Sequence, residues 1–389
     1  MALPITYNLR NLRERWKTTL LAIGGIALVV AVFITLAAMA AGFRIALAAT
    51  GSDDNGIVVQ RGSSSELTSW MNRDVANIIS ADSRIARGTD GQPLTACDVV
   101  VITAKPRRTD GEMTNISVRG VQQRAFVVRR GIKIVQGRSF QPGLNEIIVG
   151  KRMAERIRNF DVGADVWMQK RNWRIVGLFT AEGSSFESEI WGDFDVMNTA
   201  FQRGGGCESL TVRLTNKGVL SQFDKDLRGN PQMQVQMDGE RKYYSDQAGN
   251  IGTALMGLAG FVAVVMGIGA VFGAMNTMYA IVSSRTREVG TLRALGFSRL
   301  SILFSFLVES VLLALVGGLL GCLLAIPMNG FTGATGNTAS FSELAFAFRI
   351  TPATLIWGIV FAGLMGFFGG LLPAARAARM PITTALREA

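Results

Sequence analysis

Ser283-Ser284-Arg285-Thr286-Arg287-Glu288-Val289-Gly290-Thr291-Leu292-Arg293-Ala294-Leu295-Gly296-Phe297-Ser298-Arg299 is a charged island between two long apolar stretches. Residues 251–284 carry no charge, and the residues after the island are almost as apolar. Short cytoplasmic loops hold the Lys/Arg excess of a membrane protein, so this compact basic segment belongs on the cytoplasmic side. An apolar stretch of about 20 residues can cross a bilayer. Four are present, at residues 20–43, 251–283, 301–328 and 350–375.

The rest of the chain falls into place around these spans. Segment 1–19 places Ile5, Leu9, Leu12 and Trp16 at helical spacing beside Arg10, Arg13, Arg15 and Lys17, with Pro4 suited to a helix start. Such an amphipathic stretch lies well at the cytoplasmic membrane surface. Ala38-Met39-Ala40 has the form of a signal-peptide cleavage site. The apolar run before it is too long for an ordinary signal peptide, whose apolar region is about 7–15 residues. Residues 44–250 are polar and carry short β-type runs at 56–60, 98–103, 116–119, 146–149, 173–178 and 209–214. Helical patterns interrupt them at 66–80, 151–157 and 218–228. The expected fold is therefore an α-helical membrane protein with four transmembrane helices. A large α+β extracytoplasmic domain is inserted between the first and second.

With the N-terminus inside, this domain lies outside, the island 284–300 inside, loop 329–349 outside and tail 376–389 inside. Charge agrees with that orientation. Arg285, Arg287, Arg293 and Arg299 fill the island, and Arg376, Arg379 and Arg387 follow the last span. These sets and the N-terminal one are opposed only by Glu14, Glu288 and Glu388. The net charge of +11 over 389 residues is thus a topology signal rather than a nucleic-acid footprint. The second span is too long for a simple crossing, at about 50 Å if helical against about 30 Å of hydrocarbon. Either its excess projects outward and joins the external domain, which would favour an oligomer, or the helix tilts.

Several chemistries are excluded or left open. The absence of histidine removes the Ser-His-Asp triad and nearly all catalytic zinc sites. No phosphate-cradling loop followed by Lys-Ser/Thr occurs, and Gly204-Gly205-Gly206 has no lysine after it. No catalytic residue and no metal ligand is assigned. Cys322 lies in a span, while Cys97 and Cys207 share the polar region and form either a disulfide or two free thiols. Glu309 is the one acidic or basic residue within a span. It serves either structural pairing with an island arginine or proton and substrate handling. Gly269 with Gly273, Gly317 with Gly321, and Gly366 with Gly370 are small pairs that let helices approach closely in lipid.

The island from Ser284 to Gly296 resembles the segment after the second span in the MacB/FtsX/LolC-like permeases of ABC transporters. The run from Leu372 through Pro373, Arg376, Arg379, Pro381, Leu386 and Arg387 to Glu388 is similar to that family's C-terminal signature. Glu309 followed by Gly317-Gly318-Leu319-Leu320-Gly321 fits its third span. The layout of one span, a large domain and three spans resembles the family throughout.

The resemblance implies a non-catalytic permease of the inner membrane. It would dimerise with a second copy or a related permease and recruit a separate ATPase that holds ATP and Mg. It implies a coupling helix in the island. Arg285, Arg287, Glu288 and Arg293 would offer docking charges, Val289, Leu292 and Leu295 an apolar face, and Gly290 and Gly296 close approach or a helix end. It further implies a porter-like external part with an insert at 135–202, and a periplasmic adaptor as partner beside membrane lipids. The stretch 182–193 is read either as a partner-contacting loop or as a solvated loop with Phe186 and Trp191 in the core. Export or extraction by mechanotransmission is the leading function. A signalling scaffold of the same architecture and a membrane-anchored sensor are the alternatives.

Overall fold

The computed structural model describes residues 16–337 and 341–382. The amphipathic segment before Trp16 and the signature residues Leu386 and Arg387 lie outside the described residues. The chain forms two compact units. One holds the described residues up to Ala41, Thr253–Phe331 and those from Phe348 onward; the other holds Gly42–Gly252 and Thr332–Ala347.

Four of the described helices are long and apolar enough to cross a membrane. They are α1 (Trp16–Ala48), α7 (Glu240–Ser284), α9 (Arg299–Ala325) and α10 (Pro352–Arg379). Two of them start on a side-chain cap. The Ser298 side chain accepts from the Ser301 N–H at 3.2 Å and caps α9. Thr351 accepts from the Thr354 N–H at 3.2 Å, with Pro352 next, and caps α10. Pro373 lies buried inside α10, where it removes one backbone donor.

Within this unit two of the three glycine pairs serve packing. A Cβ on Gly317 would meet the Ile23 carbonyl oxygen at 3.0 Å, and one on Gly321 the Ala27 carbonyl oxygen at 2.7 Å, so α9 rides closely on α1. A Cβ on Gly366 would meet the Ser310 carbonyl oxygen at 2.9 Å, and one on Gly370 the Ser310 hydroxyl at 2.6 Å, so α10 rides on α9. Ser310 Oγ also donates to the Gly366 carbonyl at 2.7 Å. Gly269 and Gly273 differ: nothing lies within 4 Å of a Cβ at either.

The other unit is an α/β domain around one sheet. Its strands are β1 (Asn55–Gln60), β2 (Thr95–Pro106), β3 (Met113–Val121), β4 (Lys133–Gly137) and β5 (Glu146–Gly150). They continue with β6 (Asp165–Met168), β7 (Arg171–Thr180), β8 (Glu189–Asp193), β9 (Ser209–Arg213) and β10 (Val235–Gly239). The order is β10-β1-β9-β2-β3-β8-β5-β7-β4, with β6 on β7. The pairs β3/β8 and β5/β7 are parallel, the others antiparallel. Short helices α2 (Arg73–Ser80), α3 (Ala125–Val128), α4 (Lys151–Arg156), α5 (Phe194–Ala200) and α6 (Leu220–Gly229) accompany it. Apolar residues of alternate strand positions form one core around Val99, Val118, Ile190 and Trp173, and a second around Ile57, Ala96, Phe179 and Trp191.

The structure refines several expectations. Within 135–202, strand β8 pairs with both β3 and β5, so this segment shares one sheet with the rest of the domain. In the stretch 182–193, Phe186 at 3 % exposure and the fully buried Trp191 lie in the core as one of the two alternatives had it, but Ser185, Glu187 and Glu189 are buried with them, so the stretch is not solvated. The loop 329–349 contains an antiparallel pair, β11 (Thr332–Asn337) and β12 (Ser342–Ala347), belonging to the α/β unit. There Glu343 pairs with Arg156 and accepts from Thr114 Oγ1 at 2.6 Å, and the Ala345 N–H donates to Ser188 Oγ at 3.0 Å. Finally, the long second helix begins not near Ile251 but at Glu240, giving 45 residues, or about 67 Å. Its extra turns are polar, not the uncharged end expected from the apolar run.

Candidate coupling segment and the ion network of the domain

The island becomes a helix of its own. The chain leaves α7 at Ser284, turns at Arg285 and forms α8 (Thr286–Ala294). Gly296, at φ +95°, ends it. The Gly296 N–H donates to the Arg293 carbonyl at 3.2 Å and the Phe297 N–H to the Leu292 carbonyl at 3.1 Å. This paired closure uses the left-handed conformation that glycine adopts without a Cβ penalty.

Packing then divides the island's residues into two sets. Val289 is 2 % exposed and packs with Met278, Val282, Ile302, Phe306 and Ala377. Gly290 is buried beside it. Arg285 is 8 % exposed, and its Nη1 donates to Glu309 Oε2 at 2.9 Å. Arg285, Val289 and Gly290 are thus the buried side of the island. Glu309 takes the structural-pairing role. Arg287, Glu288 and Gly296 are exposed, Leu292 and Arg293 half-buried, and Leu295 is 73 % exposed. Arg376, Arg379 and Pro381 are also exposed, and Arg376 sits 5.7 Å from the centre of the Tyr279 ring.

In the α/β domain a buried ion network gathers residues far apart in sequence. Arg119, 1 % exposed, grips Glu66 through Nη1 and Nη2 at 2.7 and 2.9 Å and Glu189 through Nε and Nη2 at 2.8 and 3.0 Å. Its Nη1 also reaches Asp98 Oδ2 at 3.2 Å. Arg129 donates to the same Asp98 oxygen at 2.5 Å and to Glu240 Oε1 at 3.2 Å. Glu240, the first residue of α7, further accepts from Asn55 Nδ2 at 2.9 Å and the Ser52 N–H at 3.0 Å. One turn on, Tyr244 donates to Glu66 at 3.0 Å. Just past α1, Thr50 Oγ1 donates to Ser185 Oγ at 2.9 Å. The entry of α7 and the exit of α1 are thus tied to the sheet through charge-assisted bonds. Burial alone would raise the Glu66 pKa, but the Arg119 guanidinium outweighs it and holds the group at about 2. This network escaped sequence reasoning. Its one local signal is charge inside apolar runs, as Asp98 before Val99-Val100-Val101 and Arg119 after Val118.

Two features lie beside it. Cys97 on β2 and Cys207 before β9 form a disulfide with Cα atoms 5.6 Å apart, which decides the alternative left open. Glu208, fully buried, accepts from Arg203 Nε at 2.6 Å. Burial pushes its pKa up to about 7, and Arg203 offsets this only in part. The folded domain therefore takes up a proton at Glu208 between the ordinary carboxylate range and about pH 7, and loses stability as pH rises through that window. From pH 5.5 to 8 the loss should be about 2 kcal/mol. Denaturant unfolding followed by tryptophan fluorescence should show it for the wild type and not for Glu208→Gln; equal pH dependence in both would refute the assignment. Among the described residues no group of three or more His, Cys, Asp or Glu is placed to hold a metal.

Comparison with known proteins agrees with this architecture. Residues 19–229 match the MacB-like periplasmic core domain and residues 260–382 the FtsX-like permease C-terminal domain. An uncharacterized ABC transporter permease, YknZ of Bacillus subtilis strain 168, is 30 % identical over 305 residues, 71 % of either chain. The macrolide export ATP-binding/permease protein MacB 2 of Yersinia pestis bv. Antiqua is 26 % identical over 353 residues, 83 % of this chain and 50 % of that one. The chain thus spans half the length of that MacB relative. A crystal structure of the extracellular domain of YknZ aligns with a TM-score of 0.36 at 16 % identity, covering 47 % of this chain and 99 % of that one. The chain belongs to the MacB/FtsX-like family of ABC transporter permeases, with four apolar helices and a periplasmic-type domain placed between the first and second.

Proposed function

We propose that this permease couples ATP hydrolysis on a separate ATPase to movement of its α/β domain, and so drives export or extraction of a substrate across the inner membrane. The observation that carries the reading is α7. It runs as one helix from Glu240, held in the ion network, to Ser284, where the chain turns directly into α8. A helix is stiff along its axis, so displacement of α8 reaches Glu240 without passing through a loop. Arg287, Glu288 and Leu295 offer the ATPase a mixed charged and apolar face on a well-seated helix.

In this reading the termini and α8 are cytoplasmic, and the α/β domain is extracytoplasmic. ATP and Mg belong to the ATPase, and the permease itself binds no cofactor and performs no catalysis. A second permease copy completes the transporter within the lipid bilayer, and a periplasmic adaptor meets the α/β domain. Nucleic acid has no part.

The test is co-purification with a candidate ABC ATPase. Arg287→Glu with Leu295→Asp changes exposed side chains only, so insertion should survive. Loss of one central contact of an interface costs about 2 kcal/mol or more. Capture of the ATPase and its stimulated turnover should therefore fall by at least about 30-fold. A correctly inserted double variant that binds and stimulates the ATPase like wild type would remove α8 from the coupling path. Stimulated ATPase with no substrate moved would favour the signalling scaffold.

A further inference from the structure

A cleft of about 240 Å³ opens in the α/β domain between the turn after α1, the loop after α3 and the bend at 181–186. Arginines dominate its lining: Arg129, Arg130, Arg213 and Arg241. Two buried polar atoms on lining residues lack a protein partner: Arg129 Nη1 and Ser184 Oγ. Arg129 is 4 % and Ser184 2 % exposed, so each atom leaves a hydrogen bond unmade away from bulk water, a costly condition.

Arg129 is ion-paired with Asp98 and Glu240, which leaves its Nη1 as the unmade donor. Glu240 also accepts from Asn55 Nδ2 and the Ser52 N–H. Arg241 is held outward by Asp53 at 2.7 Å. Arg130 is exposed and has no ion-pair partner among the described residues. Glu182, at the rim over Gly131, makes no ion pair among the described residues either. Arg213 is 7 % exposed and binds the Val128 carbonyl. Burial and then the positive charge of Arg130 hold its pKa below the ordinary arginine value. Positive charges are thus crowded beside donors with nothing to donate to.

We propose that this cleft binds an oxyanion of the phosphate class, with Arg129, Arg213 and Ser184 at its floor and Arg130 closing on it from the mouth. The Arg130 guanidinium can grip phosphate oxygens as a fork, Arg129 Nη1 adds one buried charged donor, and the Ser184 hydroxyl supplies a neutral donor. Glu182 competes from the rim. The site borders Ser52, Glu240 and Arg241, where α1 leaves and α7 enters, so occupancy would brace the point at which both helices meet the domain. The proposal stands independently of coupling through α8.

The test uses the full chain in nanodiscs, titrated with inorganic phosphate and, separately, with a short-chain phosphatidic acid against phosphatidylcholine. Arg130→Ala and Glu182→Gln are the variants, both at exposed positions outside the ion network. Saturable binding should weaken at least tenfold in Arg130→Ala and tighten in Glu182→Gln. Binding of inorganic phosphate with this pattern identifies a soluble anion as sufficient. The same pattern for phosphatidic acid alone identifies a lipid headgroup. No saturable binding of either probe, or binding indifferent to both variants, overturns the proposal.

Discussion

Arg119→Met should severely destabilise the native α/β domain. Arg119 is 1 % exposed and bonds Glu66, Glu189 and Asp98, all buried. Removing one partner of a buried ion pair costs about 3–5 kcal/mol because it strands an uncompensated charge. Here three carboxylates lose the same cation, against a typical domain stability of about 5–15 kcal/mol. Lysine should rescue poorly, since a single ammonium cannot reproduce two bidentate grips.

The pH response separates this account from a simple packing defect. In the wild type, Glu66 is held at about 2 by Arg119. Its contribution is therefore present above the ordinary carboxylate range and lost as pH falls toward 2. Without the arginine, burial raises the carboxyl pKa, so the folded variant favours the protonated acids and should gain stability on acidification from pH 7 toward 5. Both proteins share the gain from Glu208, so the denaturant midpoint of the variant should rise more between pH 7 and 5 than that of the wild type. An Arg119→Met protein as stable as wild type at pH 7 would mean the network contributes little.

The second large effect concerns the buried ion pair between Arg285 and Glu309. Glu309 is 2 % exposed on α9 and meets Arg285 at 2.9 Å. Either Arg285→Met or Glu309→Met alone strands a charge among apolar side chains and should lower stability by about 3–5 kcal/mol. The double replacement removes both charges and should restore most of the loss, because a well-packed apolar pair can equal a buried ion pair. Thermal unfolding in detergent of the four proteins forms a double-mutant cycle. Additive single losses would show that the two side chains do not act as a pair. A restored double variant that still stimulates the ATPase would also show that Arg285 seats α8 rather than docking to a partner.

The difference between α8 as read and α8 as folded marks how far sequence carries. Alternation of Val289, Leu292 and Leu295 among charges signals a helix with an apolar side. It does not say that Val289 turns toward Ile302 and Phe306 while Leu295 turns outward. That choice depends on where α9 and α10 end. The aromatic pair Phe186 and Trp191 shows the same limit. Acids beside aromatics read as a surface loop until β8 is seen pairing on both edges with β3 and β5 and Trp191 is seen in the core. In the hairpin β11/β12, the first strand is made of small and polar residues with weak strand propensity. The pair is held where Leu344 and Phe346 are buried and Glu343 and Ala345 find Arg156 and Ser188 on the domain.

By itself, the sequence determined the four apolar spans, their order, strands at 56–60, 98–103, 116–119, 146–149, 173–178 and 209–214, which the structure extends or trims by a few residues, and the break that isolates α8. All of these rest on local quantities: apolar length, period, a capping serine or threonine, a glycine able to take positive φ. Tertiary structure alone decided which charges are buried together, that Cys97 meets Cys207, that α7 reaches back to Glu240, and that Gly317 and Gly366 pack within the chain while Gly269 does not. These outcomes depend on contacts between residues tens to hundreds of positions apart. There, a charge is favourable only if its partner arrives from another element, and no local pattern records that arrival.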